Sequence, residues 1–244
     1  MCIRDRPTVL DLHGPEPYDV NFPFPVDLRT LENDLVKLIP FIPRLHIEAF
    51  WSKLLPDLEA SMRYLPWSVR TKDDLLHALE GFRRNSEWVV FAVVDKTRSA
   101  ESNMPGALAG MIGLLNTLPQ NHVTEIGAVL TLPAFRRSFI TSNAVGLLLH
   151  YCLEPAPHGL GLRRVAWQAN PLNLPSVAAA QRMGFRQEGI LRWQRAIPAG
   201  KEGKTPSKKD PDQRPGRDSV VLSVCWDDWE SGVRETVERA MRPR

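Results

Sequence analysis

The stretch from Asn170 to Arg192 admits few local structures, because an alanine run is bracketed by residues that start and stop a helix. Asn173 is a good N-cap: its side-chain carbonyl accepts from a free N–H of the first turn, and Pro175 sits where a missing N–H costs nothing. The helix is therefore expected to start at about Leu174. Ala178, Ala179 and Ala180 favour it, and Gly184 supplies the left-handed residue that closes it and returns Phe185 to the core. A strand end before this helix and a new strand after it complete the unit.

The rest of the chain reads as strands and helices in a definite order. Leu35 to Phe41 is a short β signal stopped by Pro40. His46 to Arg63 and Thr71 to Arg84 are predicted helices. In the second, Thr71 and Asp74 form a capping-box pattern, and Leu75, Leu76, Leu79 and Phe82 share one face. The apolar runs Trp88 to Val94 and Ala107 to Leu115 flank a polar loop and suit an antiparallel hairpin. Val123 to Leu132 is the next strand, ended by Pro133, and a helix carrying Val145, Leu148, Leu149 and Cys152 comes after it. Arg164 to Ala169 is a strand with Val165, Trp167 and Ala169 facing one way. After Arg192 a strand runs to about Ile197, and residues 198–217, rich in proline, glycine and charge, are expected to form a mobile loop within a hairpin. Ser219 to Trp226 closes the sheet, and Val233, Val237 and Met241 recur at helical spacing.

The pattern Asn173-x-x-Ser176, then Gly184-Phe185, then Glu188-Gly189-x-x-Arg192 resembles the last motif of the GNAT superfamily of acyl-CoA N-acyltransferases, and within it the branch of the ribosomal-protein-alanine acetyltransferases RimJ and RimL. The resemblance implies an α/β (α+β) fold with a mixed, mostly antiparallel central sheet flanked by helices. Residues 35–244 form its single domain. Residues 1–34 form an irregular extension, of which 1–6 are unrelated to the rest of the chain and are set aside as an artefact.

Composition narrows the classes of function. With 244 residues, 43% of them hydrophobic, the chain has enough apolar material for a real core. Three cysteines do not make a disulfide framework, and Cys152 and Cys225 fall in apolar periodic segments, which points to a reducing, cytoplasmic setting. No apolar run approaches the roughly 18 residues that span a bilayer, and no signal core opens the chain. The formal charge of +3 is accounted for by residues 198–217, with six Lys or Arg against three acids. Such a loop gives weak, salt-sensitive contact with nucleic acid rather than a specific face.

What the resemblance implies for chemistry is transfer of an acetyl group from acetyl-CoA, as cosubstrate, to a primary amine, either a protein N-terminus or a small molecule, without a metal. The strand end Leu130, Thr131 and Leu132, with the turn Arg136, Arg137, Ser138, Phe139, Ile140 and Thr141, corresponds to the pyrophosphate cradle. A strand-to-helix turn there exposes N–H groups at the positive end of a helix dipole, and no acid from Pro133 to Tyr151 offsets the two arginines. The family's glycines are replaced by Ser138 and Ile140, and its leading Arg or Gln by Phe135. Asn173 and Ser176 match the residues beside the pantetheine arm and thiol. The family's tyrosine acid is Ala180 here, which leaves Ser176 to protonate the departing thiolate. Glu125 is the candidate base, because partial burial raises a carboxyl toward useful values. Backbone N–H groups near Val129 to Thr131 are positioned for the oxyanion. Tyr64 and Trp67, in the loop that borders the acceptor in the family, are candidates for substrate contact. The missing glycines and tyrosine also fit a non-catalytic acyl-CoA-binding protein on the same fold.

Overall fold

The computed structural model describes residues 11–100 and 104–242, so the artefact expected at 1–6 and Cys2 lie outside the described residues. Seven strands form one sheet in the order β1-β2-β3-β4-β5-β7-β6. They are β1 (Val36–Pro40), β2 (Val89–Asp95), β3 (Ala107–Leu118), β4 (Val123–Thr131), β5 (Arg164–Ala169), β6 (Arg186–Ala196) and β7 (Gly216–Cys225). Every neighbouring pair is antiparallel except β4 and β5. This is the α/β architecture, a mixed and mostly antiparallel sheet with helices against it, that the resemblance implies.

The helices are α1 (Pro43–Leu54), α2 (Leu58–Met62), α3 (Lys72–Arg84), α4 (Ile140–Leu153), α5 (Leu174–Arg182), the single turn α6 (Trp226–Asp228) and α7 (Arg234–Met241). Residues 107–115 of β3 are buried without alternation, as a strand covered on both faces requires. Helices α1 and α3 lie against β3 and β2, and α4 runs along β1 to β5. Helix α7 packs on α4, where Met241 lies so close to Gly146 that a Cβ there would sit 2.3 Å from its sulfur.

Local chemistry explains most boundaries. Thr71 and Asp74 exchange both bonds of the capping box. Asn173 Oδ1 accepts from Ser176 N at 3.3 Å, and Gly184 closes α5 at φ +85° with Phe185 buried behind it. The helix expected over 46–63 is two helices instead, one beginning at Pro43 in its first turn and the second after a break at Leu55–Asp57. Pro56 carries no N–H to continue the ladder, and Asp57 leaves helical geometry at φ −129°. The strand expected from Ser219 starts earlier, at Gly216, so Arg217 belongs to the sheet. The end of the chain is not one uninterrupted helix, since Gly232 at φ +118° kinks it before α7.

Residues 11–34 contain a single short helical turn, Asp11–His13, yet Leu12 and Leu31 are fully inside the main core. The start of the 198–217 segment is also tied down. Lys201 Nζ donates to the carbonyls of Met62 and Leu65, and Glu202 pairs with Arg63. These bonds hold the connection between α2 and α3 over the end of the β6–β7 hairpin.

Candidate active site

Strands β4 and β5 pair over four rungs only, from Val123 opposite Arg164 to Ile126 opposite Trp167. Beyond that point β4 continues to Thr131 and β5 to Ala169, unpaired with each other. A bulge drives β4 away. Gly113 and Met111 of β3 face Gly127 and Leu130, so two steps on β3 span three on β4, and Ala128 takes φ +51° to absorb the extra residue. Such a bulge leaves its residue out of the ladder.

A cavity of about 450 Å³ occupies the opening between the parted strands. Its walls bring together five residues singled out in the sequence: Glu125 on β4, Asn173 and Ser176 on α5, and Tyr64 and Trp67 from the loop before α3. Val129 lines it too, while Leu130, Thr131 and Leu132 do not. The side chains of Leu130, Leu132 and Ile140 are core residues, so only their backbone is available to a ligand, and Ile140 does not intrude on the turn.

Glu125 is 6% exposed. Its Oε2 accepts from Asn116 Nδ2 at 3.0 Å and from Gln168 Nε2 at 2.9 Å. Burial raises its pKa above the ordinary carboxylate value, outweighing those bonds and the charges of Arg195 and Arg217, all of which favour the ionised form. Asn116 reaches Glu125 from a left-handed residue, φ +50°, at an irregularity of β3.

Across the cleft, Ser176 Oγ accepts from Trp167 Nε1 at 3.1 Å, which leaves its O–H free to donate. Arg217 is 7% exposed and donates to Tyr64 O, Ser219 Oγ and Asp218 O. Burial, then the neighbouring Arg195 charge, pulls its pKa down to about 10, against the pull of Glu125, so it remains a cation at neutral pH.

The turn before α4 divides its two arginines. Arg136 is committed to α2: its Nη2 donates to Asp57 Oδ2 and Ser61 Oγ, both at 2.7 Å. Arg137 is exposed, takes φ +57°, and has no ion pair among the described residues. Ser138 Oγ donates to Phe135 O and accepts weakly from Ile140 N at 3.3 Å, while Thr131 and Thr141 join through their hydroxyls at 2.8 Å. No side chain caps α4, and its first turn has no acid, so an anion can be met by backbone N–H groups.

Sequence reasoning missed Asn116, Gln168, Arg195, Arg217 and Trp88. A polar residue beside the inward-facing Trp167 and Ala169 is a signal for Gln168, whereas Arg217 is hidden in a charged run that reads as loop.

The buried Glu125 carboxylate and the Ser176 hydroxyl thus line one cavity where two parallel strands part. The chain belongs to the acetyltransferase (GNAT) domain family, which it matches over residues 36–186. It is similar to a GCN5-related N-acetyltransferase from Brucella melitensis, with 26% identity and a TM-score of 0.70 over 87% of this chain and 85% of that one. Mycobacterium smegmatis RimJ in complex with CoA-disulfide shares the fold at 18% identity and TM-score 0.62, covering 85% and 90% of the two chains. Spermidine N-acetyltransferase from Vibrio cholerae, in complex with CoA and spermine, shares it at 16% identity and TM-score 0.58, covering 81% and 99%. No curated protein matches the chain.

Proposed function

We propose that the protein transfers the acetyl group of acetyl-CoA directly to a primary amine within a ternary complex. The observation that carries this reading is the placement of Glu125, buried and with a raised pKa, on the wall of the same cavity as Ser176, where β4 and β5 part.

The acceptor must be a neutral amine to attack, and free α-amines and lysine amines are largely protonated at pH 7, with pKa values near 8 and 10.4. Glu125 takes the proton, directly or through one water. The nitrogen then adds to the thioester carbonyl, and the oxyanion is held by the β4 backbone at the bulge, where Val129 lines the cavity. Collapse breaks the C–S bond. Ser176, its lone pair engaged by Trp167, gives its O–H proton to the leaving sulfur and takes the excess proton of the acylated nitrogen in its place, so coenzyme A leaves as the thiol and the amide as the neutral product; a thiolate whose conjugate acid has a pKa of about 8.5 is readily expelled. The pyrophosphate rests on the α4 N-terminus beside Arg137, with Asn173 along the pantetheine arm. Arg136 braces the turn from outside.

A reducing cytoplasm suits this assignment, since Cys152 is a buried thiol. The test is coenzyme A release from acetyl-CoA with a panel of amines. Amine-dependent release with formation of the N-acetyl product is expected, and tight acetyl-CoA binding without turnover would favour a binding protein instead.

A further inference from the structure

Glu125 has two cationic neighbours in the acceptor cavity. Arg195 and Arg217 stand directly opposite each other on β6 and β7, and both line the cavity. Like charges at opposed cross-strand positions repel, and Glu125 is one carboxylate against two guanidinium groups. The site as built carries an excess positive charge and favours an anion.

The hydrogen-bonding groups agree with the charge. Among the described residues, three buried side-chain polar atoms have no partner: Trp88 Nε1, Arg195 Nε and Gln168 Oε1. All three belong to residues that line this cavity. Two are donors, one of them charged, and one is an acceptor. The acceptor's identity is fixed by chemistry, because Gln168 must turn its N–H₂ toward the Glu125 carboxylate and so leaves its carbonyl without a donor. Buried polar groups left unpaired are costly, so a ligand that satisfies all three gains from each. Arg217 has each of its three nitrogens already bonded to protein, and Arg195 is therefore the cation with a group to spare.

Resting on the transferase reading above, we propose that the acceptor is a free α-amino acid with an apolar or aromatic side chain. Its amine donates to Gln168 Oε1 next to Glu125. Its carboxylate accepts from Arg195 Nε and Trp88 Nε1. Its side chain lies against the aromatic wall formed by Trp67, Phe82 and Trp88, whose rings meet at 5.6 and 5.0 Å. A polyamine brings only positive charge to two arginines, and a protein N-terminus offers an amide where the carboxylate belongs.

The experiment compares L-phenylalanine and L-leucine with their carboxamides, and with spermidine, at saturating acetyl-CoA. A hydrogen bond from a charged donor to a carboxylate predicts a kcat/KM preference for acid over carboxamide on the order of 10- to 100-fold, with spermidine weakest. Arg195→Gln lowers turnover of the acid more than that of the carboxamide and brings the ratio toward one, with coenzyme A binding reporting that the variant is folded. Trp88→Phe, which removes the indole donor while keeping an aromatic ring in the wall, reduces the same ratio. A wild-type ratio near one, a preference for carboxamide or spermidine, or a ratio indifferent to both substitutions overturns the assignment while leaving acetyl transfer in place. If no amine is acetylated, the transferase reading falls and the ligand is judged by thermal shift: stabilisation by L-phenylalanine that Arg195→Gln abolishes supports it, and no stabilisation overturns it.

Discussion

Replacing Glu125 by Gln separates what this residue does for catalysis from what it costs the fold. Burial holds the folded-state pKa above the ordinary 4.5, so the native protein keeps its proton in a range where the unfolded chain has lost it. Between pH 4.5 and that raised value, unfolding releases a proton and stability falls as pH rises; above it the full penalty persists. Each pH unit of elevation corresponds to about 1.4 kcal/mol, and in a domain of this size about 1 kcal/mol moves Tm by roughly 2–4 °C. Glutamine keeps an oxygen to accept from Asn116 and Gln168 but cannot ionise. Glu125→Gln is therefore expected to match wild type near pH 4.5 and to be the more stable of the two through neutral pH, while activity falls by about 10²-fold or more. The assay is paired Tm and kcat/KM measurements from pH 4.5 to 9, with the wild-type rate rising through the raised Glu125 pKa. A Glu125→Gln protein less stable than wild type at pH 8, or equally active there, would refute the assignment of a desolvated base.

Four further substitutions test other parts of the site. Ser176→Ala is expected to slow single-turnover acetyl transfer by about 10- to 100-fold with coenzyme A affinity retained, and to cost about 1 kcal/mol because Trp167 loses its acceptor; an unchanged rate would retire Ser176 as the acid. Arg137→Ala should weaken coenzyme A binding about 10-fold by calorimetry, whereas Arg136→Ala, whose guanidinium is bonded to Asp57 and Ser61, should lower Tm with little change in affinity; the reverse order would show the turn to be used differently. Lys201→Ala removes two bonds to the backbone of the loop that carries Tyr64, and should raise the acceptor KM several-fold while the acetyl-CoA KM holds. Equal effects on both constants would argue against a local role.

What the sequence made legible was what is decided locally. Asn173, Pro175 and Gly184 define α5 through a cap, a tolerated proline and a left-handed residue, each acting within one turn, and all three fall where expected. The uninterrupted apolar runs of β2 and β3 likewise announce strands covered on both faces. Pro56 was equally local, but the apolar spacing on either side of it concealed the break. The surroundings of Glu125 were not legible, because Asn116, Gln168, Arg195 and Arg217 come from four other strands or strand ends and meet only through register. That register depends on bulges: Arg195 reaches Arg217 across an irregularity that begins after Leu191, and β4 leaves β5 through Ala128. The side chains of Leu130 and Leu132 turn into the core on either side of the half-buried Thr131, and Ile140 does so because α4 is buried almost all round, so a set of cofactor contacts assigned by position mixes residues offering side chains with residues offering backbone alone.

A structure of the protein with coenzyme A bound tests the whole site at once. The pyrophosphate is expected at the N-terminus of α4 beside Arg137, the pantetheine arm passing between β4 and β5 along Asn173, and the sulfur within hydrogen-bond reach of Ser176 Oγ at the mouth of the cavity that holds Glu125. Coenzyme A bound outside the gap between the two strands, or with its sulfur turned away from Ser176 and the Glu125 cavity, would contradict this arrangement.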